Sequence, residues 1–149
     1  MEPRHARVSC SHPPGWFTLL FKMIIGSGID LVEIDRIQHS MDRFGSRFLD
    51  RVYTPAEQTY CLRKRKSAES FAARFAAKEA GAKALGTGIG YGVTWREIEV
   101  GRAPGGRPTL LFHGRAAQIA AQLGVAHAAL SLTHTGQLAY ASVVLENAG

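Results

Sequence analysis

Cysteine is scarce in this chain of 149 residues: there are two, Cys10 and Cys61, far apart, with no CxxC and no Cys/His ligand spacing. That excludes a disulfide scaffold or a zinc ribbon and makes a reduced, cytoplasmic compartment the default expectation, with one disulfide left open. No apolar run comes near the roughly 20 residues that span a bilayer, so no membrane partner is expected. There is no HExxH, no nucleophile elbow and no Walker lysine. Gly26 and Gly28 make a GxG, but Leu31 stands where a third glycine is required, so dinucleotide binding is excluded too. Repeats and low-complexity segments are absent. Acidic residues are the minority, 12 against 18 Lys and Arg, which gives a formal charge of +6 and a pI near 9.7. Such a balance suits an anionic partner: nucleic acid, a phosphate-bearing ligand or an acidic protein.

What is present reads as one domain behind a tail. Residues 1–22 carry a basic start, a Pro-Pro pair and a short apolar patch, Trp16 to Phe21, with no small-residue cleavage site after it. They are expected to be a tail, with Met23 as the functional start of a domain over residues 23–149. Met23 to Val32 has the apolar content of a buried strand, in which glycine marks a bulge or a close backbone approach. From Glu33 the period changes to helical: Ile34, Ile37, Met41, Phe44 and Phe48 form the stripe, Arg36, Arg43 and Arg47 lie largely off it, and Gly45 interrupts. Thr54-Pro55-Ala56-Glu57 is a capping box with Pro at N1, opening a helix to about Leu62. The run Arg63 to Lys66 follows. Ala68 to Leu85 is the longest helix, with Ser67 expected as N-cap and Gly86 as the glycine after its end. Four alternating glycines, Gly86 to Gly92, rule out regular structure. Trp95–Val100 and Thr109–Phe112 read as strands across a turn at residues 103–108, Ala116–Leu123 as a helix, and Ala128–Leu132 with Leu138–Leu145 as a closing strand pair. Helices and strands do not alternate regularly, which predicts an α+β fold with a largely antiparallel sheet.

Two carboxylates stand where carboxylates are costly. Asp30 lies within the first strand, and Glu79 falls on the apolar arc of the long helix with Phe71, Ala72, Phe75, Ala76 and Ala82. A buried carboxylate needs a partner. Lys83, one turn on, is one candidate, and a bound cation is the other. A strand carboxylate and a helix carboxylate aimed at one place suit Mg²⁺, which takes one or two protein carboxylates and completes its shell with water and phosphate oxygens. The residues alone therefore point to Mg²⁺-assisted phosphate chemistry.

Ile25 to Ile34, IGSGIDLVEI, with Arg36 and Ile37, resembles the first signature of the holo-acyl-carrier-protein synthases, the small bacterial-type 4′-phosphopantetheinyl transferases. Arg74 to Ala80, RFAAKEA, continuing through Lys83 to Ile89, is similar to their second. The likeness runs on through Trp95, the IEV strand, Gly106-Arg107-Pro108 and the closing SLTH and AYASVVLE strands, so it covers Met23 to Glu146. It implies the fold of that family and transfer of the 4′-phosphopantetheine arm of coenzyme A to a serine of apo acyl carrier protein, as in fatty acid biosynthesis. Asp30 and Glu79 match its Mg²⁺ carboxylates, with Glu79 or a metal-held water as base. Lys83 is placed by the resemblance on the substrate phosphate or against Glu79. It places Lys78, Gly86 and Gly88 near the nucleotide, and His134 near coenzyme A across a subunit interface of a homotrimer. Arg36, Arg43 and Arg47 fall on the helix that docks the acidic carrier. The closing turn departs from the pattern, with Thr133 and Thr135 where many relatives have a serine and an acidic residue. Two other classes compete: a Mg²⁺-dependent nucleic-acid enzyme using Arg63 to Lys66, and a non-catalytic adaptor for an acidic protein.

Overall fold

A computed structural model describes residues 22–149; the expected tail, apart from Lys22, and Cys10 lie outside the described residues. The elements are β1 (Ile24–Glu33), α1 (Ile34–Phe44), α2 (Ser46–Val52), α3 (Pro55–Leu62), α4 (Ser67–Ala84), β2 (Ile98–Arg102), β3 (Pro108–Phe112), α5 (Gly114–Gln122), β4 (His127–His134) and β5 (Leu138–Glu146), with a 3-10 turn at Trp95–Glu97. All strand pairing is antiparallel, and the predicted α+β class is what the chain adopts. The strands divide, however, into a three-stranded sheet of order β1-β5-β4 and a separate hairpin, β2-β3.

Helix α4 is the centre of the packing. Its alanines let neighbours approach from several directions, so Phe71, Ala72, Ala76, Ala77, Ala80 and Ala82 are all buried without a single core stripe. On one side lies the inner sheet face, where Ala139, Ala141, Val143 and Leu145 of β5 alternate with half-exposed residues. Strand β1 comes closest. A Cβ at Gly26 would strike the carbonyl oxygen of Ala84, and one at Gly28 that of Ala80. Both expectations for these glycines hold, because the β1–β5 register also shifts between Ile24 and Gly26.

The helix ends follow local chemistry with two corrections. Thr54 and Glu57 form the expected capping box of α3. Gly45, at φ 54°, separates α1 from α2. Gly86, at φ 80°, ends α4: its N–H meets the carbonyl of Lys83 while that of Thr87 meets Ala82, a Schellman arrangement. At the other end Lys66, not Ser67, is the N-cap, and no side chain caps it. Trp95–Glu97 is a 3-10 turn rather than strand, because the Glu97 carboxylate takes the backbone N–H of Thr94 at 2.7 Å. Cys61 is buried with a free thiol.

Candidate active site

The close approach of β1 to α4 brings two of the expected site residues together. Lys83 reaches across from α4 and donates to the Ile29 carbonyl at 3.0 Å and to Asp30 Oδ1 at 2.9 Å. The ion pair is half open to solvent, with Lys83 50% and Asp30 17% exposed at the side chain. Lys83 thus pairs with Asp30, and the expected i, i+4 pair with Glu79 does not form, since a carboxylate on the strand lying across α4 captures the ammonium. Asp30 is correspondingly a rim carboxylate rather than a core one.

Glu79 finds a different partner. Its Oε1 accepts the indole N–H of Trp95 at 3.0 Å. The side chain is partly buried and lines an open cavity of about 600 Å³ with Asp50, Arg51, Gly90 and Trp95. A second, more apolar cavity of about 500 Å³ is walled by Phe44, Phe48, Val52 and Phe75, with Arg47 and Arg51 at its polar edge. Trp95 and Arg51 line both. The Trp95 ring lies 6.0 Å from that of Phe75, and the Arg51 guanidinium stands 5.9 Å from the indole centroid.

Lys78 is a correction. It was expected beside a nucleotide, but its ammonium is fully buried and all three donors are used: Glu57 Oε2 at 2.7 Å, the Ile98 carbonyl at 2.7 Å and the Trp95 carbonyl at 3.0 Å. Nothing remains to offer a ligand. Burial pushes the Lys78 ammonium below its ordinary pKa, and the Glu57 carboxylate opposes that shift. Glu57 accepts in addition the N–H groups of Thr54 and Val100, both at 2.8 Å, so both of its oxygens are occupied.

The other expected residues scatter. Gly86 and Gly88 shape the end of α4 through positive φ, but Gly90 and Ile89 of that loop line the Glu79 cavity. His134 ends β4, exposed, with Nδ1 3.7 Å from Glu69 Oε2, and is not among the residues around Glu79. Arg36 and Arg43 lie exposed on α1, whereas Arg47 lies beyond the Gly45 break on α2. The Arg63 to Lys66 run is half committed to the chain itself: Lys64 stands 4.6 Å from the centroid of the Tyr60 ring, and Lys66 pairs with Glu69 at 3.4 Å. Two features had no sequence forecast. Trp95 enters the sequence reading as the start of a strand and as part of the family likeness, with no role for its side chain. Arg74 and Arg102 join Lys64 on the Tyr60 ring, at 4.1 and 5.1 Å.

The donor set bears on a metal. Among the described residues no three His, Cys, Asp or Glu side chains converge, so an all-protein cage is not formed. Asp30 and Glu79 each have one oxygen engaged, while Asp30 Oδ2 and Glu79 Oε2 carry no hydrogen bond among the described residues. Two carboxylates, each with an open hard oxygen, fit the Mg²⁺ mode, in which substrate and water complete the shell.

The sequence model of the 4′-phosphopantetheinyl transferase superfamily matches residues 26–141. A curated relative from Koribacter versatilis, named holo-[acyl-carrier-protein] synthase, is 62% identical over 125 residues, which cover 84% of this chain and 100% of the relative. One of the same name from Solibacter usitatus is 55% identical with the same coverage. Among solved structures, the holo-[acyl-carrier-protein] synthase of Neisseria meningitidis superposes with a TM-score of 0.76 at 36% identity, covering 84% of this chain and 100% of its own. The Helicobacter pylori enzyme in complex with coenzyme A gives a TM-score of 0.71 at 32% identity, covering 80% and 98%.

Proposed function

Since the chain belongs to the 4′-phosphopantetheinyl transferase superfamily, and within it to the holo-[acyl-carrier-protein] synthases, we propose that it moves the 4′-phosphopantetheine arm of coenzyme A onto a serine of an apo acyl carrier protein in a Mg²⁺-dependent reaction. The observation that carries this reading is the pair of half-engaged carboxylates, Asp30 and Glu79, on two elements pressed backbone to backbone. The serine Oγ bonds to the phosphorus that bears the pantetheine arm. The bridging oxygen of the pyrophosphate leaves with adenosine 3′,5′-bisphosphate, and the serine proton passes to a water beside Glu79, whose open oxygen is kept for the metal. Asp30 and Glu79 would hold Mg²⁺, which supplies charge neutralisation on the pyrophosphate. Lys83, half exposed beside Asp30, adds a positive charge for the same phosphates.

The surface supports the partners. Arg36, Arg43 and Arg47 present exposed cations along α1 and α2, suited to an acidic carrier and sensitive to salt. The outer face of the three-stranded sheet carries Ile29 and Leu31, 57% and 58% exposed, opposite Ser142 and Tyr140 of β5. Such an apolar face suits burial between subunits and supports a homotrimer. Coenzyme A as co-substrate and the reduced Cys61 suit a cytoplasmic location.

The test is the intact mass of a purified apo carrier after incubation with this protein, coenzyme A and Mg²⁺, with native mass spectrometry of the enzyme alongside. The expected result is a gain of one phosphopantetheine, lost in Glu79→Ala and in EDTA, from a trimeric enzyme. No gain with several apo carriers, from folded protein, would sink the transferase reading.

A further inference from the structure

The geometry points to Trp95 as the positioning residue for Glu79, itself anchored from behind by the buried Lys78–Glu57 pair; this rests on the transferase reading above. A glutamate has three rotatable bonds, and at the wall of an open cavity nothing in its own helix fixes its carboxylate. Here one oxygen is fixed by the indole N–H at 3.0 Å and the other is left open. The indole is well placed to hold it. Its ring packs against Phe75 on one side and faces Arg51, so its two torsions are constrained by contact.

The backbone of Trp95 is held as well. Lys78 donates to its carbonyl at 3.0 Å, and Lys78 is locked by Glu57 at 2.7 Å in a site closed to water. Glu57 in turn belongs to the capping box of α3 and takes the N–H of Val100 on β2. The 3-10 turn that begins at Trp95 is fixed by Glu97, which accepts the Thr94 N–H at 2.7 Å. A continuous set of contacts therefore runs from α3 through Lys78 to Trp95 and ends on Glu79 Oε1. Lys78 and Glu79, adjacent in sequence, meet the same tryptophan from two directions, one at its carbonyl and one at its ring nitrogen. Such a network holds a carboxylate in one orientation without touching substrate.

The test is made in full-length protein. Replacing Trp95 by 3-benzothienylalanine keeps the ring shape and puts sulfur in place of the N–H; Trp95→Phe is the simpler companion. Both should lower kcat roughly 10- to 100-fold, the size expected when a hydrogen bond to a charged group is lost in the transition state. KM for coenzyme A and for the carrier should change by less than about threefold. In a Glu79→Gln background the same replacements should cost almost nothing further, because the carboxylate whose orientation they fix is gone. With Trp16→Phe, Trp95 is the only indole, and its Nε1–H resonance should move upfield on Glu79→Gln. An unchanged kcat in the isostere, an equal loss in both backgrounds, or an unmoved resonance overturns the assignment. If the wild type does not modify any apo carrier, the transferase reading falls and takes this role with it. An active wild type with an unaffected isostere overturns the positioning role alone.

Discussion

Lys78→Met is the sharpest test of how the interior is built. The substitution roughly preserves the length and volume of the side chain but removes an ammonium that is fully buried. It leaves the Glu57 carboxylate, 2% exposed, with two backbone N–H groups and no cation. Taking away one member of a buried ion pair costs about 3–5 kcal/mol, since the survivor keeps its desolvation penalty without the attraction that offset it. The carbonyls of Trp95 and Ile98 lose a donor at the same time. The double variant Lys78→Met/Glu57→Gln removes both charges, but one of the N–H groups of Thr54 and Val100 then faces an amide nitrogen, at about 1–3 kcal/mol. Its loss should therefore be smaller than the sum of the singles, with a coupling of about 1–3 kcal/mol. Urea unfolding at one fixed protein concentration reads all four corners of the cycle. In folded Lys78→Met the KM for coenzyme A should stay within about twofold, because the ammonium has no free donor to give a nucleotide. A stability loss below about 1 kcal/mol, together with a tenfold rise in that KM, would refute the structural role and return Lys78 to the ligand site.

Gly28→Ala should cost about 3 kcal/mol or more, because the new methyl meets the Ala80 carbonyl and the Ala84 amide, neither of which can move without shifting α4. Gly86→Ala, which meets open space and has only its φ of 80° to strain, should cost about 1–2 kcal/mol; equal urea midpoints for the two would contradict the close approach. Burial pushes the Cys61 thiol up from 9.0 to about 11. The folded state thus keeps a proton that the unfolded chain releases above pH 9. The contribution is present below about pH 9 and fades as pH rises to about 11, reaching about 3 kcal/mol at most. Cys61→Ala should flatten the stability profile over that window relative to wild type, and a parallel profile would show that another group sets it.

Local chemistry made much of the fold legible. Thr54 and Glu57 cap α3 as four residues of sequence say they should, and Gly45 and Gly86 break their helices at the only conformation that needs glycine there. Glycine within an apolar strand signalled a close approach, and β1 lies on α4 for that reason. The division into sheet and hairpin was not legible, since alternation within a strand does not name its neighbour. Trp95–Glu97 was mistaken for strand, although Thr94 and Glu97 carry the T-x-x-E spacing that opens a turn.

The site divides along the same physical line. Asp30 and Glu79 stood out because a carboxylate in an apolar context is costly wherever the chain goes; Glu79 lines the cavity with Trp95, and Asp30 lies on the strand pressed against the same helix. Their partners depend on what packs across from them. In a helix with one buried face, Glu79 and Lys83 would pair along the helix; α4 has neighbours on several sides, so each polar group is claimed by the nearest of them. Asp30 of β1 takes Lys83, Trp95 takes Glu79, and Glu57 of α3 takes Lys78 from 21 residues away in sequence. An alanine-rich helix is what permits this, since small side chains bring three elements within hydrogen-bond reach of consecutive turns. Poor legibility of these partners from sequence and rigid support of Glu79 then have one cause: the contacts that fix the carboxylate are all made between elements, and none within its own helix.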